Sequence, residues 1–116
     1  MDSRRLRYFI QIVDSGSITR AAAVTGVAQP ALSQQVAVLE HELKVKLLDR
    51  SVAGVTPTSA GRILYARAQT ILRQYEDLRL AVHREVHFRM LRAHLLYQRQ
   101  TEAREHGRGH TDEHRA

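Results

Sequence analysis

The chain has no cysteine and no tryptophan, and only four tyrosines and two phenylalanines among its 116 residues. Without cysteine there is no disulfide, no thiolate metal site and no cysteine nucleophile, which fits a reducing compartment. With so few rings, a core must be built from aliphatic side chains. An apolar content of 43% supplies one domain of modest size plus an appendage. No apolar run approaches the roughly 20 residues needed to span a bilayer. The N-terminal MDSRRLRYFI mixes charged and apolar residues where a signal peptide needs an unbroken apolar stretch. The expectation is a cytoplasmic protein with no membrane partner. A nucleophile elbow, a phosphate loop and a metal-ligand motif are all missing from the sequence. Binding rather than catalysis is therefore expected, with no enzyme activity and no cofactor.

The net charge is +6. Basic chains often meet polyanions, but the excess is spread out: residues 1–60 carry +2 and residues 61–116 carry +4. Charge alone gives nucleic-acid binding little support.

Periodicity says more. Leu6, Phe9, Ile10 and Val13 lie on one face of a helix from about Arg4 to Asp14, which Asp2 or Ser3 can cap and Gly16 can end. Ser17 is a candidate N-cap for a second helix, Ile18 to Thr25, whose Ala21, Ala22 and Ala23 permit close crossing. Gly26 and Val27 make a corner, and Gln29 and Pro30 open a third helix. Its buried stripe is predicted as Leu32, Val36, Leu39 and Leu43. Its other face holds Gln29, Pro30, Ser33, Gln34 and Ala37, polar yet uncharged until His41. Short polar side chains of this kind suit the edges of DNA bases: glutamine pairs with adenine N6 and N7, and each such bidentate pair discriminates by about 1–3 kcal/mol. A solvated helix face is the plain alternative for the same residues. Pro30 could touch a thymine methyl, but starting the helix explains it without that contact. Arg4, Arg5, Arg7, Arg20 and Arg50 are candidate phosphate contacts, which position a protein without reading sequence.

Two short strands follow, within Val45–Arg50 and Val55–Pro57, as a hairpin or wing around Ser51–Gly54. Thr58 can cap a fourth, long helix. In it Leu64, Ala68, Ile71, Tyr75, Leu78 and Val82 alternate spacings of four and three, a heptad-like seam that calls for a partner helix. A homodimer through this helix is the expected solution. After His83 the composition shifts: residues 83–116 hold six of the seven histidines. Apolar periodicity persists to Tyr97, and from Thr101 the chain reads as a polar tail without regular structure. His83 and His87, and His106, His110 and His114, recur every four residues, a spacing that favours adventitious nickel or zinc over a resident metal.

The order helix, helix-turn-helix, wing, long helix, carried by RRLRYFIQIVDSGSITRAAA, AQPALSQQVAVLEHEL, LLDR and GVTPTSAG, resembles the N-terminal module of LysR-type transcriptional regulators. QPALSQQVAVLE followed by GVTPTSAG is most similar to the nitrogen assimilation control branch of that family. The resemblance covers roughly Arg4 to Val82. It implies a mainly α winged helix-turn-helix at 1–58, a linker and dimerisation helix at 59–100, a basic histidine-rich tail at 101–116, and sequence-specific binding of double-stranded DNA. It also implies that Gln29, Pro30, Ser33 and Gln34 lie at or near the major groove, while Thr19 or Arg20 reaches phosphate.

Three features depart from the family. Ala28 stands where serine is frequent, just ahead of the reading helix. Ser51, Val52 and Ala53 give the wing tip no cation. No effector-binding domain follows, so no small-molecule effector site is expected in this chain. A winged helix used for protein docking, or a truncated partner that blocks a full-length regulator, are the alternatives.

Overall fold

The computed structural model describes the backbone of residues 1–115 and the side chains of residues 1–105. It divides into one unit of Met1–Glu76 and a second that begins at Asp77. In the first unit, α1 spans Ser3–Ser15, α2 Ile18–Thr25 and α3 Gln29–Leu43. The chain then forms β1 at Leu48–Ser51 and β2 at Gly54–Pro57, and enters α4, Ser59–Arg115.

Three of the four helix starts follow side-chain capping chemistry. Asp2 accepts a hydrogen bond from the Arg5 N–H at 2.8 Å, and Ser17 accepts from the Arg20 N–H at 3.3 Å. The Thr58 hydroxyl accepts from the Gly61 N–H at 3.0 Å and donates to the Lys46 carbonyl at 2.6 Å, so one side chain caps α4 and ties it to the segment before β1. Ala28 has the extended backbone of a cap residue but no side-chain bond, leaving the α3 start to Pro30. Gly16 closes α1 in the left-handed region, at φ 65°, with its N–H shared between the Ile12 and Val13 carbonyls.

The core contains Phe9, Ile12, Ala21, Leu32, Val36, Leu39, Leu47, Leu48 and Val55, all buried, with one aromatic ring among aliphatic chains. Each large side chain removed from water contributes about 1.5–3 kcal/mol, and among the described residues no buried side-chain polar atom lacks a partner. The strands pair antiparallel, Leu48 opposite Pro57 and Ser51 opposite Gly54. The hairpin is fastened to the end of α1 by the Val55 N–H donating to the Gly16 carbonyl at 2.9 Å.

The buried face of α1 is rotated from the expected one. Leu6, Phe9 and Ile12 are buried, while Ile10 and Val13 are half-buried, because α2 and α3 pack on adjoining sides of the same helix. Leu43 was expected to end the buried stripe of α3 but is 39% exposed. The helix stops there, Lys44 turns left-handed at φ 54°, and Leu47 enters the core instead. Leu43 lines an open apolar recess with Leu6, Val45, Leu64 and Ile71. The first strand starts at Leu48, not Val45, since the Leu47 carbonyl is taken by the Thr58 N–H at 3.0 Å. Of the three alanines in α2 only Ala21 is fully buried.

In the second unit, every apolar side chain from Leu78 to Tyr97 with large surface is exposed, and Arg89 pairs with Glu85 at 2.9 Å. Helix continues past Thr101, where composition set the start of an unstructured tail; the Thr101 hydroxyl donates to the Tyr97 carbonyl at 3.0 Å, as helical side chains of that type do. The side chains of residues 106–116, His106, His110 and His114 included, lie outside the described residues. No described helix is long and apolar enough to cross a membrane.

Candidate nucleic-acid interface

Three fully buried side chains on α3, Leu32, Val36 and Leu39, fix which way the helix faces. The face opposite them is thereby presented outward: Gln29, Pro30, Gln34 and Ala37 are exposed and Ser33 is half-buried. The absence of charge on this face has a physical consequence. Amide and hydroxyl groups satisfy their hydrogen bonds with water in the free protein and exchange them for base edges without the large desolvation cost of an ion.

Arg50 joins this face from β1. Its Nη1 donates to the Ser33 hydroxyl in a long bond of 3.5 Å, so the structure brings together two residues 17 positions apart. Arg50 is exposed and is the cation that the hairpin adds beside α3. The tip beyond it carries Val52, wholly exposed, and Ala53, with no cation between Ser51 and Gly54.

Thr19 and Arg20 lie exposed in the first turn of α2, where unpaired backbone N–H groups and the helix dipole favour an anion. The Ser17 hydroxyl accepts from the Arg20 backbone N–H, and the Arg20 residue is exposed beside it.

The three arginines of α1 each have a partner within the chain. Arg5 Nε donates to Gln35 Oε1 at 2.9 Å, and its guanidinium lies 3.7 Å from both Asp2 and Glu42, so it braces α3 against α1. Arg4 donates to the Tyr8 hydroxyl at 2.8 Å and sits 5.5 Å from its ring centroid. Arg7 stacks over the Tyr75 ring at 5.8 Å. Tyr8 and Asp2 lie within one helical turn of their arginines in sequence, whereas Gln35, Glu42 and Tyr75 are distant partners with no local sign.

The expected seam of α4 divides in two. Leu64 packs on the core and Ala68 is fully buried within the single chain. Ile71, Tyr75, Leu78 and Val82 are exposed, each by 44% or more. Sequence reading missed the contact of Tyr65, whose hydroxyl donates to Asp14 at the end of α1 and accepts from Gln69 Nε2 at 3.1 Å. Bonding to the Asp14 carboxylate holds the Tyr65 phenol above its usual range, since ionising it would set two anions together and remove the donated proton. Among the described residues no group of three or more metal-ligating side chains could hold a metal ion.

Comparison with known proteins places this geometry. Residues 3–62 match the family described as bacterial regulatory helix-turn-helix protein, lysR family. The chain is 63% identical over 83 residues to the nitrogen assimilation regulatory protein nac of Escherichia coli (strain K12), covering 72% of this chain and 27% of that protein. The protein of the same name from Klebsiella aerogenes is 62% identical over 82 residues, with coverage of 71% and 27%. Among solved structures, the BenM DBD bound to catB site 1 DNA superposes with a TM-score of 0.70 at 37% identity, covering 72% of this chain and 94% of that one. The CbnR DBD–DNA complex gives a TM-score of 0.63 at 36% identity, covering 71% and 99%. The chain thus spans about a quarter of the length of the curated relatives it matches.

Proposed function

Because this chain belongs to the lysR family of bacterial regulatory helix-turn-helix proteins, we propose that its Met1–Glu76 unit reads duplex DNA as part of a dimeric transcriptional regulator. The observation that carries this is the division of α3: three fully buried leucine and valine side chains on one side, and an uncharged polar surface of Gln29, Ser33 and Gln34 on the other. The helix enters the major groove with that surface toward the bases. Gln29 and Gln34 supply amide pairs to adenine and Ser33 a hydroxyl, while Pro30 starts the helix close to the groove floor. Arg50 leaves Ser33 for a phosphate, and Thr19 and Arg20 contact phosphate from the first turn of α2.

Two copies pair through the exposed apolar positions of α4, Ile71, Tyr75, Leu78 and Val82. Leu64 and Ala68 serve to seat the same helix on its own head. Two reading heads then address half-sites on one side of the duplex, about 34 Å apart or a multiple of it. With few cations beside α3, a single head grips weakly, and linking two heads multiplies their effect. The setting for this role is the cytoplasm, where bacterial DNA is found, and the role is binding rather than catalysis.

The test is fluorescence anisotropy on a duplex recovered by selection from a random pool, against a scrambled duplex. The parent should prefer the selected site by about 1000-fold or more, the ordinary gap between specific and non-specific binding. Gln29→Ala and Ser33→Ala should lower that preference while leaving scrambled-duplex affinity unchanged. Equal discrimination by the variants would mean that α3 is not the reading helix.

A further inference from the structure

The first turns of α4 are held to the head at three separate places. At its start, the Thr58 side chain bonds Lys46, and Gly61 lies so close to Leu47 that an added Cβ would stand 2.0 Å from the Leu47 carbonyl oxygen. One turn on, Tyr65 donates to Asp14, with Gln69 holding the same hydroxyl at 3.1 Å. Further on, the Tyr75 ring lies under the Arg7 guanidinium at 5.8 Å. Asp14 closes α1 and Arg7 lies two turns earlier in it, so the two contacts take their α1 partners in reverse order along α4. The two side-chain contacts are spaced about 15 Å apart along α4, at 1.5 Å per residue. Together these contacts tie the Ser59–Glu76 part of α4 to the head and oppose its tilting and rolling.

We propose that Asp14–Tyr65 and Arg7–Tyr75 form a brace that sets the direction of the Ser59–Glu76 part of α4 on the reading head, and so the half-site spacing that heads paired through Ile71 and Tyr75 accept. Asp14, Tyr65 and Arg7 are positioning residues: they touch no base, and act through the placement of α3 relative to Ile71 and Tyr75. The inference rests on the dimeric DNA-reading role proposed above. The physical reason is geometric. Inserting one base pair shifts the second half-site by about 3.4 Å and rotates it by about 35°, given 10–10.5 base pairs in a turn of 34–36 Å. A stiff joint between helix and head resists that displacement, and a loose joint follows it. The neighbouring contacts make the site coherent. Asp14 stands two residues before Gly16, whose carbonyl takes the Val55 N–H of the hairpin, so the end of α1 fastens both wing and linker helix.

The experiment compares the full chain with its Tyr65→Phe, Asp14→Ala and Asp14→Asn variants on duplexes carrying two inverted half-sites recovered by selection. Spacings are the optimum and one or two base pairs either side, with a single half-site as reference. For the parent, a one-base-pair change should cost about tenfold in affinity, a difference of 1.4 kcal/mol. Tyr65→Phe and Asp14→Ala should keep optimum and single-half-site affinity within about twofold, while the off-spacing penalty falls to about threefold or less. Asp14→Asn retains an acceptor for the Tyr65 hydroxyl and should keep the parent's profile. A Tyr65→Phe profile that matches the parent overturns the brace. So does a uniform loss at every spacing and at the single half-site, which is what a purely structural role would give. A parent that binds no duplex overturns the DNA-reading role itself, a result distinct from both.

Discussion

Gly61→Ala reverses the usual sign of a helix substitution. At an exposed interior helix position, alanine for glycine stabilises by about 1 kcal/mol, because glycine loses more backbone freedom on folding. Gly61 is buried in the first turn of α4, and a Cβ there would lie 2.0 Å from the Leu47 carbonyl oxygen and 3.1 Å from the Pro57 Cβ. Both neighbours are held. The Leu47 carbonyl accepts the Thr58 N–H at 3.0 Å, and Pro57 ends β2 opposite Leu48. Reaching ordinary contact requires α4 to move by more than 1 Å from Leu47, which strains or breaks the Thr58 bond. Overpacking of this kind costs about 1–3 kcal/mol, and a buried acceptor left unpaired about 1–3 kcal/mol more. After subtracting the propensity gain, Gly61→Ala should destabilise by about 1–5 kcal/mol. At 4–8 °C per kcal/mol for a domain of 60–100 residues, the midpoint should fall by roughly 5–40 °C. Thermal and urea unfolding followed by circular dichroism, at one protein concentration because dimers are stabilised by mass action, measures this. A variant as stable as the parent, or more so, would refute the close approach of α4 to Leu47.

Other expectations follow from the same contacts. Ala28→Ser places a hydroxyl at a cap position whose backbone is already extended, at φ −62° and ψ 143°, and should raise stability by about 1 kcal/mol in the same unfolding assay. Ala53→Arg adds a cation at the exposed hairpin tip; each added phosphate contact should steepen the salt dependence of duplex binding by about 0.9, read as log K against log salt. An unchanged slope would place the tip away from phosphate. Tyr65 keeps its proton beyond the ordinary tyrosine range, so a tyrosinate titration should lose a step above that range in Tyr65→Phe. Because the folded value is raised, the stability Tyr65 contributes is complete below the unfolded tyrosine range and is lost as pH rises through the folded value. Asp2 is lowered, chiefly by the Arg5 N–H, so its contribution is present above the ordinary aspartate range and is lost as pH falls through the lowered value.

Local chemistry made much of this fold legible. Asp2, Ser17 and Thr58 announce helix starts because a short oxygen-bearing side chain satisfies backbone donors only a few residues away. The stripe Leu32, Val36, Leu39 is readable because helical period decides which side chains share a face. The outward set Gln29, Ser33, Gln34 follows from that stripe directly. Long-range partners left no such trace. Nothing near Asp14 marks Tyr65, 51 residues on, and nothing near Arg5 distinguishes a brace to Gln35 from a phosphate contact. The seam of α4 shows the same limit. Its spacing was right for a helix with an apolar face, but the single chain itself covers Leu64 and Ala68 and leaves Ile71 onward exposed. Periodicity identifies a face and cannot say what lies against it. Gly61 looked like an ordinary glycine in a helix, and only the position of the Leu47 carbonyl gives it a reason.

In the proposed role α3 reads base sequence with an uncharged polar face while a second copy supplies the rest of the grip. Selection of bound sites from a random duplex pool, run in parallel on the parent and on Gln34→Ala, tests it most directly. The expected result is inverted half-sites at one fixed separation near 34 Å or a multiple of it, with one base position in each half relaxed in the variant. Recovery of unpaired or unrelated sequences by the parent, or identical sites from both proteins, would contradict it.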